Sequence, residues 1–208
     1  KNSVGGKWVN HLIVADGVDE IPAGLCYESE CLQSVRFEGS ALSKIGKNAF
    51  YQCKNLTDIS LSGMSIGTIE SGAFFECSSL TSLNIEEEVN IGEMGKGAFE
   101  RSGLLSTGLD KVSGLASLPE NAYKDCKALT DTGLGKNKSI TSIGANAFSG
   151  CESLTITGLE DNKKVKTLGD GCFSDTDMSD GLVLPYGSRI EELPSRAFYG
   201  TKLETVFL

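Results

Sequence analysis

Seven cysteines and a single histidine carry most of the chemical potential of this 208-residue chain. Cys53, Cys77, Cys126 and Cys151 recur at multiples of 24–25 residues, and no two cysteines form a Cys-x-x-Cys pair. A zinc site needs ligands that converge on a tetrahedron, whereas residues spaced this evenly along a chain make a line. They read as buried thiols acting as small apolar side chains. Cys172 and Cys26 read the same way, and Cys26 with Cys31 is the one plausible disulfide. Buried thiols suit an extracellular protein as well as any other, so they do not fix a compartment. His11, alone, cannot build a His-rich metal site or a His dyad. Without a Ser or Cys nucleophile motif nearby it reads as a surface or cap residue.

The remaining polar groups offer weaker signals. Asp175-Thr-Asp177-Met-Ser-Asp180-Gly181 has carboxylates at calcium-loop spacing. An EF-hand needs Gly at its sixth and Glu at its twelfth position, where Asp180 and Tyr186 stand, so this is a solvated turn. Glu86-Glu87-Glu88 is a solvated loop, or a lure for a basic ligand. Lys136, Lys138, Lys163, Lys164 and Lys166 fall on later loops where they can share one rim, and read as ordinary surface charge. Asn55-Leu-Thr57 and Asn137-Lys-Ser139 match the glycosylation sequon, which matters only in a eukaryotic secretory pathway. None of these sets equips an enzyme, and neither a cofactor nor a metal is expected.

Composition narrows the classes further. The net charge is −9, the wrong sign for nucleic acid, which selects Lys and Arg clusters. No run approaches the ~18 apolar residues that span a bilayer, so no membrane insertion by this segment is expected. Glycine is frequent at 25 residues and proline scarce at four, a composition of many tight turns. The chain starts at Lys1 without a basic and apolar leader, so any targeting segment is expected to lie outside it.

What positions these residues is a repeat. Phe50, Phe74, Phe99, Tyr123, Phe148, Phe173 and Phe198 follow one another at steps of 24 or 25. A small residue precedes each ring (Ala49, Ala73, Ala98, Ala122, Ala147, Cys172, Ala197). Aliphatic or Met side chains stand five and eight residues earlier, as in Ile45 with Leu42. Three residues after the ring comes Cys, followed by Leu at +6, as in Cys53 and Leu56. In shorter repeats Ser102, Thr176 or Thr201 takes the Cys place, with the next apolar residue at +5. The shorter turn is expected to close through a hydroxyl bonded to local backbone. Leu56-x-x-Ile59-x-Leu61 and Leu80-x-x-Leu83-x-Ile85 then alternate as a half-buried strand does. Val9-x-x-Leu12-x-Val14 and Leu32-x-x-Val35-x-Phe37 extend the same grammar to the N-terminal side, with Cys26 in the ring slot.

This pattern resembles the BspA-type (Treponema pallidum-type) leucine-rich repeats of bacterial and some protist surface proteins. The closest matches are Leu42 to Leu61, Ile66 to Ile85, and Leu184-Pro185 through Ile190 to Leu208. Two departures stand out. Only Leu184-Pro185 keeps the Leu-Pro after the strand. Thr107-Gly108, Thr132-Gly133 and Thr157-Gly158 replace the middle strand aliphatic, which predicts a weaker or bulged sheet there. The resemblance implies a mostly β, α/β-type repeat: a right-handed solenoid of about eight 24–25-residue coils with a parallel concave sheet. It also implies a non-catalytic binding or adhesion module of a bacterial cell-surface or secreted protein. The partner would be a host or neighbouring-cell protein or glycan. A spacer array that projects another domain is the second expectation.

Stacked coils bury a core that no coil closes alone. The chain is expected to be a single domain over 1–208, with 1–20 as an N-terminal half-coil or cap and Trp8 covering the first coil. Val206-Phe207-Leu208 shows no cap, so the array is expected to continue in a longer protein or to pair with another chain. The slot two before each ring holds Asn or Gly in most coils, which predicts left-handed backbone there, with Arg196 the exception. The candidate ligand surface is the set of strand side chains alternating with the buried ones: Ser34, Arg36, Asp58, Ser60, Ser82, Asn84, Ser106 and Asp131. They form a shallow, mildly acidic face with few aromatic anchors.

Overall fold

The first repeats contribute two short strands each and the later ones a single strand, and every described strand pairs in parallel with its equivalent one repeat along. The architecture is a computed structural model that describes residues 8–179, 181–184, 189–190, 192–204 and 206–207. On one side, His11–Val14, Ser34–Phe37 and Asp58–Ile59 form a three-stranded parallel sheet, with His11 opposite Ser34 and Ser34 opposite Asp58. On a second side, Glu20–Ile21, Ala41–Ile45, Ser65–Ile69, Val89–Met94 and Val112–Ser113 form a five-stranded parallel sheet. It is followed by Ser117–Leu118, Ser142–Ile143 and Thr167–Leu168 as a separate three-stranded sheet. The result, over the described residues, is a mostly β, parallel solenoid of about seven turns, slightly fewer than the eight expected. The N-terminal turn around Cys26 has a thiol in place of the core ring, and its strand on the second side is only the two-residue Glu20–Ile21.

The more regular sheet is therefore not the one read from the sequence. The Leu42-x-x-Ile45 spacing lacks strict alternation, yet Ala41–Ile45 and Ser65–Ile69 pair on both sides of a skipped position. Ser43 and Gly67 are that skip. A Cβ at Gly67 would lie 2.4 Å from the Ser43 carbonyl oxygen, and one at Gly92 would lie 2.6 Å from that of Gly67. Glycine there lets the backbones close up, so two aliphatics three apart both face the core.

The rings stand in single file. Phe50, Phe74, Phe99, Tyr123, Phe148, Phe173 and Phe198 stack with centroids 5.1–5.9 Å apart and planes within 16°. All but Phe198 are fully buried, in one apolar core that runs from Val14 to Ala197. The backbone N–H of each ring-bearing residue donates to the carbonyl just before the next ring, as from Phe50 to Ala73 (2.8 Å) and Phe99 to Ala122 (2.9 Å). The residues two before and two after the ring join this third file of inter-turn bonds, as Asn48 does with Ser71 (3.1 Å) and Gln52 with Phe75 (2.8 Å).

That file explains the backbone around each ring. The slot two before it has φ between 52° and 65° in every turn, Arg196 included at 55°. The exception expected at Arg196 does not occur, because the turn geometry outweighs a penalty of about 1–2 kcal/mol for an L side chain. The slot two after the ring is also left-handed, through Glu28, Gln52, Glu76, Arg101, Asp125 and Asp175 among others. Composition gives no hint of this second slot.

The thiols line the core as expected. Cys53 Sγ donates to the Cys26 carbonyl (3.0 Å), Cys77 to Phe50 (3.1 Å), Cys126 to Phe99 (3.1 Å) and Cys151 to Tyr123 (3.2 Å). In the short turns Thr176 and Thr201 donate to the carbonyls of Phe173 and Phe198 in their own turn (2.9 and 2.8 Å), the local closure anticipated. Ser102 instead meets Cys126 Sγ at 3.2 Å. No disulfide joins Cys26 to Cys31. Burial pushes the Cys126 thiol up to about 12. Raised in the folded state only, this group contributes nothing that varies below its unfolded value, and stability falls as pH climbs from there toward 12. Cys126→Ser is expected to flatten the loss between pH 8 and 9.5 by about 1 kcal/mol, read by urea unfolding in reductant.

Candidate functional site

Of the eight predicted surface residues, the fold gathers three into one depression. Arg36, Asp58 and Ser60 line a groove of about 390 Å³ with Phe37, Ser62 and Met64. Asn84 reaches in from the next turn: its Nδ2 donates to Asp58 Oδ1 at 3.0 Å, and its carbonyl accepts from Ser60 Oγ at 3.2 Å. Ser34, two residues before Arg36 on the same strand, lies half-buried outside the depression, its hydroxyl 2.8 Å from His11 Nδ1.

The other members serve the backbone. Ser82 Oγ accepts from Asn84 N (2.9 Å), Ser106 Oγ from Gly108 N (3.4 Å) and Asp131 Oδ1 from Gly133 N (2.8 Å). Each closes a local turn two residues on. The turn is needed because the following slot becomes left-handed at Asn84 (φ 46°), Gly108 (72°), Gly133 (70°) and Gly158 (72°). The strand there shrinks to single bridges, Ser106 to Asp131 and Asp131 to Ile156, as the Thr-Gly substitutions predict. The change starts one turn earlier, at Asn84. The eight residues therefore do not make one continuous face of free side chains.

What replaces the strand is a polar ladder. Thr107 and Thr132, both buried, donate through Oγ1 to the Thr132 and Thr157 carbonyls of the next turn, and accept from Leu109 N and Leu134 N. Short 3-10 turns follow at Leu109–Lys111 and Leu134–Lys136. Beneath them Asn137 and Asn162 each bond backbone of their own turn and of the turn before. Asn137 Nδ2 donates to Leu109 O (2.7 Å) and Val112 O (3.0 Å), and its Oδ1 accepts from Ser139 N (2.9 Å) and Ile140 N (2.8 Å). At 4 % exposure Asn137 offers no accessible amide in the folded chain, although it stands in a sequon. Asn55 remains exposed, with its amide donating to Glu30 O at 2.6 Å.

Above the ladder, Lys111, Lys136, Lys138, Lys163 and Lys164 line a groove of about 760 Å³. Four of the five lysines noted in the sequence meet there; Lys166 does not line it. A second feature not anticipated is an outer aromatic file, one residue past the buried rings. Tyr27, Tyr51 and Phe75 stack at 4.8 Å with nearly parallel planes, and the Arg101 guanidinium lies 5.8 Å from the Phe75 centroid. Tyr27 at the start of the file is 43 % exposed. Its signal was present as aromatics at 24-residue spacing beside the core ones.

Other expectations resolve plainly. Trp8 is 87 % exposed and does not cover the first turn, a correction to its expected role. Asp180 and Tyr186 of the calcium-like segment lie outside the described residues, while Asp177 pairs with Lys202 at 3.2 Å. Among the described residues, no group of three His, Cys, Asp or Glu side chains is arranged to hold a metal. No helix among them is long and apolar enough to cross a membrane.

Comparison with known proteins agrees with this architecture. The profile described as BspA type Leucine rich repeat region matches residues 6–130 and 95–208, in six copies. The crystal structure of the T. pallidum leucine-rich repeat protein superposes with a TM-score of 0.54 at 24 % identity, over 82 % of this chain and 77 % of that one. A leucine-rich cell surface protein from Faecalibacterium prausnitzii gives a TM-score of 0.40 at 18 % identity, over 92 % and 73 % of the two chains. No curated protein sequence matches the chain.

Proposed function

Because the chain belongs to the BspA-type leucine-rich repeat family, we propose that it is a non-catalytic recognition module of a bacterial cell-surface or secreted protein. Its ligand is a protein or glycan of a host or a neighbouring cell. The observation that carries this reading is the groove over Arg36, Asp58 and Ser60. It lies on the regular part of the first sheet, is lined by one cation, Arg36, and two carboxylates, Glu38 and Asp58, and is braced by Asn84. Such a site suits charged and hydrogen-bonding groups of a ligand, with specificity set by electrostatic complementarity.

Saturable binding of the purified chain to immobilised extracellular-matrix proteins or to intact cells tests it. Asp58→Arg is expected to weaken that binding on the order of tenfold, by inverting a charge at the contact. Asp131→Arg, whose site is outside the groove, is expected to leave it unchanged. Saturable binding that survives Asp58→Arg overturns the assignment. A second reading, a spacer array that binds nothing, is favoured by one observation. Ser82, Ser106 and Asp131 spend their polar atoms on their own turns. Absence of binding to any surface selects it.

A further inference from the structure

The ion pairs of this solenoid cross from turn to turn, and the largest gathering of lysines lies outside them. Lys44–Glu20, Lys54–Glu76, Lys96–Glu120, Arg101–Asp125, Lys127–Glu152 and Lys202–Asp177 each link a cation to a carboxylate one turn away, at 2.7–3.4 Å. Lys136, Lys138, Lys163 and Lys164, all exposed, take part in no ion pair among the described residues, and they converge on the same groove. Lys138 and Lys163 hold equivalent places in successive turns, next to the aligned Asn137 and Asn162. Turns stack at about 4.8 Å. Like charges at that distance repel by somewhat under ~1 kcal/mol even in water. In a chain of net charge −9, four lysines gathered on one groove without a neutralising carboxylate pair are what an anionic ligand would complete.

The site is built rather than merely lined. Its floor is the asparagine ladder: Asn162 Nδ2 donates to Leu134 O (2.6 Å), and its Oδ1 accepts from Lys164 N (2.7 Å), as Asn137 does one turn before. The backbone that carries the lysines is therefore fixed before any ligand arrives. Lys111 closes one end, its Nζ held by the carbonyls of Ile85 (2.7 Å) and Glu86 (3.1 Å). Glu88, Asp110 and Asp161 also line the groove. Three carboxylates among five lysines disfavour a compact, densely charged ion and favour charges spaced out along a chain. The lysines span three successive turns, so the cations repeat along one axis at about the turn spacing.

We propose that this groove binds an anionic polysaccharide, an extended glycan carrying a sulfate or carboxylate on successive sugars. It is separate from the depression over Arg36 and Asp58, with no lining residue in common, so either assignment can fail while the other stands.

The test is titration calorimetry of the full chain with a heparin oligosaccharide, an oligogalacturonate, neutral dextran and a DNA duplex. Binding of heparin or oligogalacturonate supports the proposal, and the stronger of the two names the anionic group. The Lys136→Ala/Lys138→Ala/Lys163→Ala/Lys164→Ala variant is expected to lose affinity on the order of tenfold or more. Its dependence of log K on log salt should be shallower by about one for each lysine engaged, as for other polyanions. A control variant, Lys44→Ala/Lys96→Ala/Lys127→Ala/Lys202→Ala, removes the same charge from paired sites and is expected to keep affinity within about twofold. Equal losses in the two variants would mean attraction to net charge alone and overturn the site. So would the absence of binding to both acidic glycans, dextran binding as tightly, or a duplex binding as well through the same lysines. Circular dichroism melting of both variants confirms that each retains the fold.

Discussion

Phe99→Ala is expected to lower the unfolding free energy by about 3–5 kcal/mol, the range for removing a buried aromatic ring. The Phe99 ring is fully buried between Phe74 at 5.1 Å and Tyr123 at 5.4 Å. In a solenoid each turn touches only its neighbours, and stability is roughly a sum of turn and interface terms. Removing a middle ring damages two interfaces at once. Phe198 has one described ring neighbour, Phe173 at 5.9 Å, and is only partly buried. Phe198→Ala is therefore expected to cost about half as much. Urea unfolding followed by circular dichroism measures both. A broadened or two-step transition in Phe99→Ala would show the array separating at the gap. Equal costs at the two positions would mean that stacking on adjacent turns is not what the rings contribute.

The ring file was legible because it is periodic in residue type: no other arrangement accounts for an aromatic after a small residue seven times over. The thiol slot and the hydroxyl switch were legible for the same reason. What escaped was set by backbone geometry. Arg196 adopts left-handed φ because its turn needs it to reach the hydrogen-bonding register of the other turns, whatever its own preference. The five-stranded sheet was hidden because Leu42 and Ile45 are three apart, and only the skipped position at Ser43 and Gly67 reconciles that spacing with pairing.

The candidate site was less legible than the fold. Reading alternate strand positions as one exposed face assumes that every turn keeps extended backbone, and this fails from Asn84 onward, where φ turns positive. Ser82, Ser106 and Asp131 then become turn closures, while Arg36, Asp58 and Ser60 remain together. The lysine groove was half legible: the residues were noted, but their convergence depends on a backbone path created by the Thr-Gly substitutions. That path is held by Asn137 and Asn162, a 25-residue repeat of only two members, and in the sequence Asn137 stands out only as part of a sequon.

Asn137→Ala tests that ladder and is expected to destabilise the chain by about 3–5 kcal/mol, a large effect for a polar residue. Its side chain serves the Leu109 and Val112 carbonyls and the Ser139 and Ile140 N–H groups. Leaving buried groups unpartnered costs about 1–3 kcal/mol each, reduced here by water entering from the adjoining lysine groove. Asn55→Ala, which removes one bond from an exposed amide to Glu30 O, is expected to cost under about 1 kcal/mol. Asn137→Asp separates the two halves of the amide. The carboxylate still accepts from Ser139 and Ile140 but faces two carbonyls it cannot serve, so its folded pKa should rise. Stability is then greatest below the unfolded value and is lost as pH rises through the folded one. The variant should recover toward acid pH relative to the parent, in parallel urea titrations. If Asn137→Ala costs no more than Asn55→Ala, the amide merely fills space. The path of the turns from Leu109 to Val165 must then be held by the threonines and the apolar core alone.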